Sequence, residues 1–153
     1  MQVEEGIYLS FDFGTKYIGI AVGQSITHTA NPVTTLPAKN GIPSWDQLGD
    51  VIKKWQPKGL IVGLALQPDS SASDTSLAAQ KFGHHLNKHF NLPIYFIEER
   101  LTTVAAKQRL KEQYPTTHYQ HDVDAMSAVI ILESWFNSDK KEIAIGVSNS
   151  PSI

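Results

Sequence analysis

Residues Gly59 to Leu66 read GLIVGLAL, an unbroken apolar run with β-branched residues at its centre, bounded by Pro57 and Pro68. A run this short and uniformly apolar is a strand covered on both faces, and such strands lie inside parallel sheets flanked by helices. The chain must therefore build an α/β domain, and the remaining elements can be placed around this strand.

Upstream, Ile7 to Phe13 and Tyr17 to Gly23 are two apolar runs separated by Gly14, Thr15 and Lys16, the pattern of a β-hairpin. Asn31 to Leu36 reads as a third strand, made irregular by Pro32, which cannot donate a ladder hydrogen bond. Ser44 is a suitable N-cap, and Trp45, Leu48, Val51, Ile52 and Trp55 then recur at helical spacing up to Pro57. After the central strand, Gln67 to Ser76 is a polar connection, and Leu77, Phe82, Leu86 and Phe90 mark a second amphipathic helix. Leu92 to Glu98 is a further strand, Thr102 or Thr103 can cap a helix through about Gln113, Tyr114 to His121 is a loop, and a last helix is predicted from about Val123 to Phe136.

The expected order is β-β-β-α-β-α-β-α-α: three antiparallel strands, then parallel strands, in a mixed five-stranded sheet with helices on both faces. This is the order of a ribonuclease H-like domain. It occupies residues 1–138, and the polar end of the segment 139–153 predicts a disordered tail.

The 153 residues match one domain. No apolar stretch is long enough to span a membrane, the N-terminal MQVEEG lacks the basic and apolar parts of an export signal, and there is no cysteine. The expected compartment is the cytoplasm. A net charge of −2 argues against a protein that coats nucleic acid, but an enzyme acting on nucleic acid needs only a local basic surface.

Asp12 is an acid at the end of the first strand, in LSFDFGTKYIGIAVG. It either accepts hydrogen bonds from the following turn or projects into a cleft with partners from neighbouring elements. Glu98 and Glu99 end the strand LPIYFIEER, and because side chains alternate, only one of them can share the face of Asp12. Asp124 falls in the expected first turn of the last helix, where the helix dipole favours a carboxylate, with Asp122 as the expected cap. Small neighbours Ala125, Ser127 and Ala128 permit close approach to the sheet. Two unit charges 4 Å apart repel by about 4 kcal/mol at an effective dielectric near 20, so converging acids must hold a proton or a cation. Magnesium suits such oxygen donors, and paired ions support phosphodiester hydrolysis by activating water and stabilising the leaving oxygen.

These residues resemble the YqgF (RuvX) family of bacterial pre-16S rRNA nucleases, also described as Holliday junction resolvase-like. FDFGTKYIGIAVG is similar to the family's first hairpin, IVGLALQ to its central strand, EERLTT to its catalytic strand end and VDAMSAVIILESW to its last helix, so the resemblance spans residues 7 to about 136. It implies metal-binding and catalytic roles for Asp12, Glu99 and Asp124, choosing Glu99 over Glu98 because it directly precedes Arg100, and it implies a phosphate contact for Arg100. Lys16, beside Asp12, is a second candidate phosphate contact. The implied cofactor is Mg2+, with Mn2+ as a substitute. The implied substrate is precursor rRNA in the small-subunit precursor, cut during 5′-end maturation by a monomer or homodimer, with no membrane involved. Where the family usually reads GLPLN, this chain has Ala65 and Gln67 in GLALQPDSS, a difference that bears on substrate preference.

Other groups have simpler uses. Lys81, Lys88, Lys107, Arg109 and Lys111 read as solvated helix faces, and Trp45, Trp55 and Trp135 stand at core positions of their helices. His85 and His89 have the spacing of a zinc pair but no third ligand, and His118, Tyr119 and His121 lie in the loop before Asp124. Three functions compete: a nuclease acting on structured RNA, with branched DNA as the alternative substrate; a sugar kinase or other ATPase, suggested by DFGT; and a non-catalytic nucleic-acid-binding or transcription factor. The kinase group closes two such domains over a nucleotide, for which this chain is too short.

Overall fold

The computed structural model describes residues 4–65, 74–99, 108, 112, 120–138, 141 and 143–147. The expected helix from Thr102 or Thr103, Arg100, His118 and Tyr119 lie outside them.

The first strands form as the apolar runs require. β1 (Ile7–Asp12) and β2 (Tyr17–Gln24) pair antiparallel, with Asp12 opposite Gly19, and β3 (Thr29–Lys39) pairs with β2. Pro32 has the effect expected of it. The β2–β3 register shifts between Ile20 and Ala21, where Thr34 and Pro32 are the successive partners. β3 continues through a turn at Asn40 and Gly41 into β4 (Ile42–Pro43), which makes the sheet six-stranded rather than five-stranded. A two-residue strand has too little sequence to carry a periodic signal.

Ser44 caps α1 (Trp45–Trp55) by accepting a hydrogen bond from the Gln47 N–H, and Gln56, in the left-handed region, ends it before Pro57. β5 (Gly59–Ala65) then pairs parallel with β1 and with β6 (Ile94–Glu99), giving the order β4-β3-β2-β1-β5-β6. Between them, α2 (Asp74–Phe90) buries Ala79, Phe82 and Leu86, while Leu77 faces outward.

The last described helix, α3 (Gln120–Phe136), starts about one turn earlier than expected. Asp122 is therefore a helical residue and not the cap, and Asp124 stands in the second turn, beyond the reach of the terminal dipole effect.

The two sheet faces have separate cores. Leu9, Phe11, Leu60, Val62 and Ile94 meet Leu48, Phe82 and Leu86 under α1 and α2. Tyr8, Ile61, Tyr95 and Ile97 meet Ile131, Leu132, Trp135 and Phe136 of α3. Trp135 is buried as expected, and Trp45 and Trp55 pack at the margin of the first core.

Residues 143–147 of the C-terminal segment lie against β6. Ala144 and Ile145 donate backbone hydrogen bonds to the Ile94 carbonyl, Ile145 accepts one from the Ile94 N–H, and Asn87 Nδ2 donates to the carbonyls of Leu92 and Gly146. Ile145 packs on the first core, which gives this short apolar stretch a reason to dock.

Candidate active site

Alternation along β1 decides where Asp12 lies. Tyr8 packs with Trp135, and Ser10 Oγ donates a 2.6 Å hydrogen bond to the carbonyl of Ala128, so this parity of the strand faces α3. Asp12 is the next residue of that parity, half-buried at the strand's end. Leu9 and Phe11 face the other core.

Asp124 reaches the same place through Gly19. A Cβ on Gly19 would stand 2.0 Å from the Asp124 carbonyl oxygen, and one on Gly23 would stand 2.7 Å from the Leu132 side chain. With Ala21 between them, these glycines form a strip of small residues on β2 that admits the main chain of α3 to the sheet. Gly19 is also the cross-strand partner of Asp12, so the main chains of both acids border one glycine. Asp124 owes its position to this contact and not to the start of a helix.

Position 99 on β6 has the parity of Tyr95 and Ile97, which belong to the α3 core, whereas position 98 has that of Ile94 and Phe96. Glu99 pairs with Ala65 on β5, and the β5 position of α3 parity between Ile61 and Ala65 is Gly63. The floor between the strand ends of β1 and β6 is therefore made of a glycine and an alanine position. In open α/β sheets, ligands bind beyond the carboxyl ends of the strands, where this floor lies.

Among the described residues, no three side chains form a metal-sized cluster of ligands. Asp12 and the main chain of Asp124 both border Gly19, and position 99 on β6 has the strand parity of the same face. Carboxylate oxygens of this kind suit a hard divalent cation such as Mg2+. Lys16 is exposed in the β1–β2 turn, and its backbone accepts a hydrogen bond from Ala38. His89 stacks on Trp45 at 4.0 Å between ring centroids, with His85 edge-on to the same indole, so both histidines have aromatic contacts on the opposite face of the sheet.

Three residues near the acids were not singled out as functional from the sequence: Ser10, Gly19 and, in this role, Ser127. Their signals were present. Ser10 is the polar residue inside an apolar strand, and Gly19, Ala21 and Gly23 repeat with the period of a strand face.

The strand order, the face-on α3 and the acids at the strand ends define a ribonuclease H-like α/β domain. Two solved structures share this fold. One is a Thermus thermophilus (T. thermophilus) RuvC in complex with a Holliday junction substrate, with TM-score 0.50 and 14% identity, covering 86% of this chain and 93% of that one. The other is a Fowlpox virus resolvase bound to Holliday junction DNA, with TM-score 0.51 and 12% identity, covering 86% and 97%. Residues 6–138 match the model of the RuvX family, described as Holliday junction resolvase, and the chain belongs to that family. Among its relatives is a protein of Nitrosococcus oceani named as a proposed pre-16S rRNA nuclease, 43% identical over 134 residues that make up 88% of each chain. An Actinobacillus pleuropneumoniae protein of the same name is 50% identical over 131 residues, 85% of this chain and 96% of that one.

Proposed function

We propose that the protein is a divalent-cation-dependent nuclease that hydrolyses phosphodiester bonds of precursor 16S rRNA during 5′-end maturation, in the cytoplasm. The observation that supports this reading is that Asp12, at the carboxyl end of β1, and the main chain of Asp124 both border Gly19. The names of the relatives supply the substrate.

In this reading Asp12, Glu99 and Asp124 hold the cation. When bound, it supplies activation of a water nucleophile and stabilisation of charge on the leaving oxygen. The protein's part is to fix the carboxylates before substrate arrives, so that binding does not have to gather them. Lys16 and Arg100 flank the acids in sequence and contact backbone phosphates, Arg100 through its planar fork of donors. A second reading, a resolvase of branched DNA, is favoured by the description of the matched family.

The test is to incubate the purified wild type and Asp12→Asn with a 5′-extended 16S precursor fragment and with a four-way DNA junction, each with Mg2+, Mn2+ or chelator. Cation-dependent cleavage of the RNA that Asp12→Asn abolishes is the expected result. Cleavage of the junction alone selects the resolvase, and cleavage by Asp12→Asn equal to wild type rejects the site.

A further inference from the structure

Ser127 lies one helical turn beyond Asp124 on α3 and is 1% exposed, yet its hydroxyl has no hydrogen-bond partner among the described residues. Serine inside a helix ordinarily returns its hydroxyl to a carbonyl of the preceding turn, and this one does not. The helix around it carries Ala125, Met126 and Ala128, all buried, and an alanine at 127 would leave no hydroxyl unsatisfied. The hydroxyl therefore has no use in the packing of the helix as it stands.

Its location suggests one. Helical side chains lean toward the N-terminus of their helix, which directs Ser127 back toward the turn that carries Asp124. Ser127 also precedes Ile131 by four residues, and Ile131 packs against Ile61, Tyr95 and Ile97, which places the Ser127 row over β5 and β6. The Ser127 position thus lies one turn from Asp124, on the row of α3 that continues to Ile131 over β5 and β6.

We propose that Ser127 is a positioning residue for the cation site: its hydroxyl donates a hydrogen bond to the Asp124 carboxylate when that carboxylate ligates a divalent cation. This rests on the nuclease reading, which places the cation at Asp12 and Asp124. A carboxylate ligand has oxygen lone pairs beyond those turned to the metal, and a donor behind it fixes its orientation. Removing such a partner characteristically lowers metal affinity by roughly tenfold to a hundredfold.

The test is Mn2+ binding to the whole protein, followed by electron paramagnetic resonance without nucleic acid, for wild type, Asp12→Asn, Ser127→Ala and Ser127→Cys, with thermal midpoints measured alongside. The expected result is one Mn2+ bound by wild type and lost in Asp12→Asn, with affinity at least roughly tenfold weaker in Ser127→Ala. Ser127→Cys, similar in size but a weak donor, should follow alanine. Both Ser127 variants should melt no lower than wild type, because a buried unpartnered hydroxyl has been removed. Cleavage by Ser127→Ala should need correspondingly more Mg2+ and regain the wild-type rate at saturation. If wild type and Asp12→Asn bind Mn2+ alike, the cation site itself is wrong and this proposal falls with it. If Asp12→Asn loses the ion while Ser127→Ala binds it as tightly as wild type, the site stands and the role of Ser127 is overturned.

Discussion

The hydroxyl of Ser10 and the carbonyl of Ala128 are 118 positions apart in sequence and 2.6 Å apart in space, in a fully buried hydrogen bond. Ser10 is two residues before Asp12 on β1, and Ala128 is one turn after Asp124 on α3. The bond is thus a tie between the two elements that carry the candidate site, made just beneath it. Ser10→Ala removes the donor and leaves a small void, and should destabilise the fold by about 1–2 kcal/mol. Urea denaturation measures that cost. Cleavage by the folded variant at saturating Mg2+ should fall further than this change in stability accounts for, since the acids lose their common anchor; an unchanged rate would show that the tie serves the fold alone.

Gly19 sets the closest approach in the molecule's site region. Adding one methyl there puts carbon 2.0 Å from the Asp124 carbonyl oxygen, a contact that no rotamer change can relieve. Gly19→Ala should therefore lift the N-terminal part of α3 from β2, cost about 1–3 kcal/mol as overpacking usually does, and abolish cleavage in the protein that remains folded. Circular dichroism and a thermal melt separate loss of fold from loss of site. A variant that keeps both stability and activity would mean that α3 is not held where the structure puts it.

Strand parity separates the two adjacent glutamates. Glu99→Gln should abolish cation-dependent cleavage, while Glu98→Gln, on the parity of the opposite face, should keep activity within about twofold, since surface changes of this type rarely exceed half a kcal/mol. Asp124→Asn should behave as Glu99→Gln in cleavage, since it removes charge without changing volume. Equal losses in both glutamate variants would contradict the register of β6.

At the other end of the α3 face, burial raises the pKa of the Tyr8 hydroxyl well above the usual tyrosine value of 10, with Tyr95 and Glu4 adding to the shift. Burial raises that of Tyr95 as well. Because the folded state holds these protons more tightly than the unfolded chain, their contribution is fully present below pH 10 and declines as pH rises above it. Thermal midpoints should fall steeply above pH 10. Tyr8→Phe, which gives up a hydrogen bond to the Glu4 carbonyl, should flatten that fall; the same slope in both proteins would assign alkaline unfolding to other groups.

Much of this fold can be read from local pattern. GLIVGLAL announces a strand buried on both faces, and Ser44 and Pro57 bracket α1 because capping and proline chemistry act within a few residues. What escaped local reading depends on distant contacts. β4 exists because β3 turns back at Asn40 and Gly41, and residues 143–147 pair with the open strand edge that Ile94 offers. The sequence pattern sets the start of α3 late, because an acid at 122 is by itself a good cap. Asp12 and Asp124 are identifiable as candidates, but Gly19, which both main chains border, shows its importance only when the helix is laid on the strand.

The contact at Gly19 also says how such a site can stay ready. Where helix and strand touch through side chains, thermal hopping among rotamers lets the two elements drift. Here main chain meets main chain, and peptide groups have no rotamers to exchange. The backbone segments that carry Asp12 and Asp124 are thus joined without play, and their spacing is set once, when the chain folds.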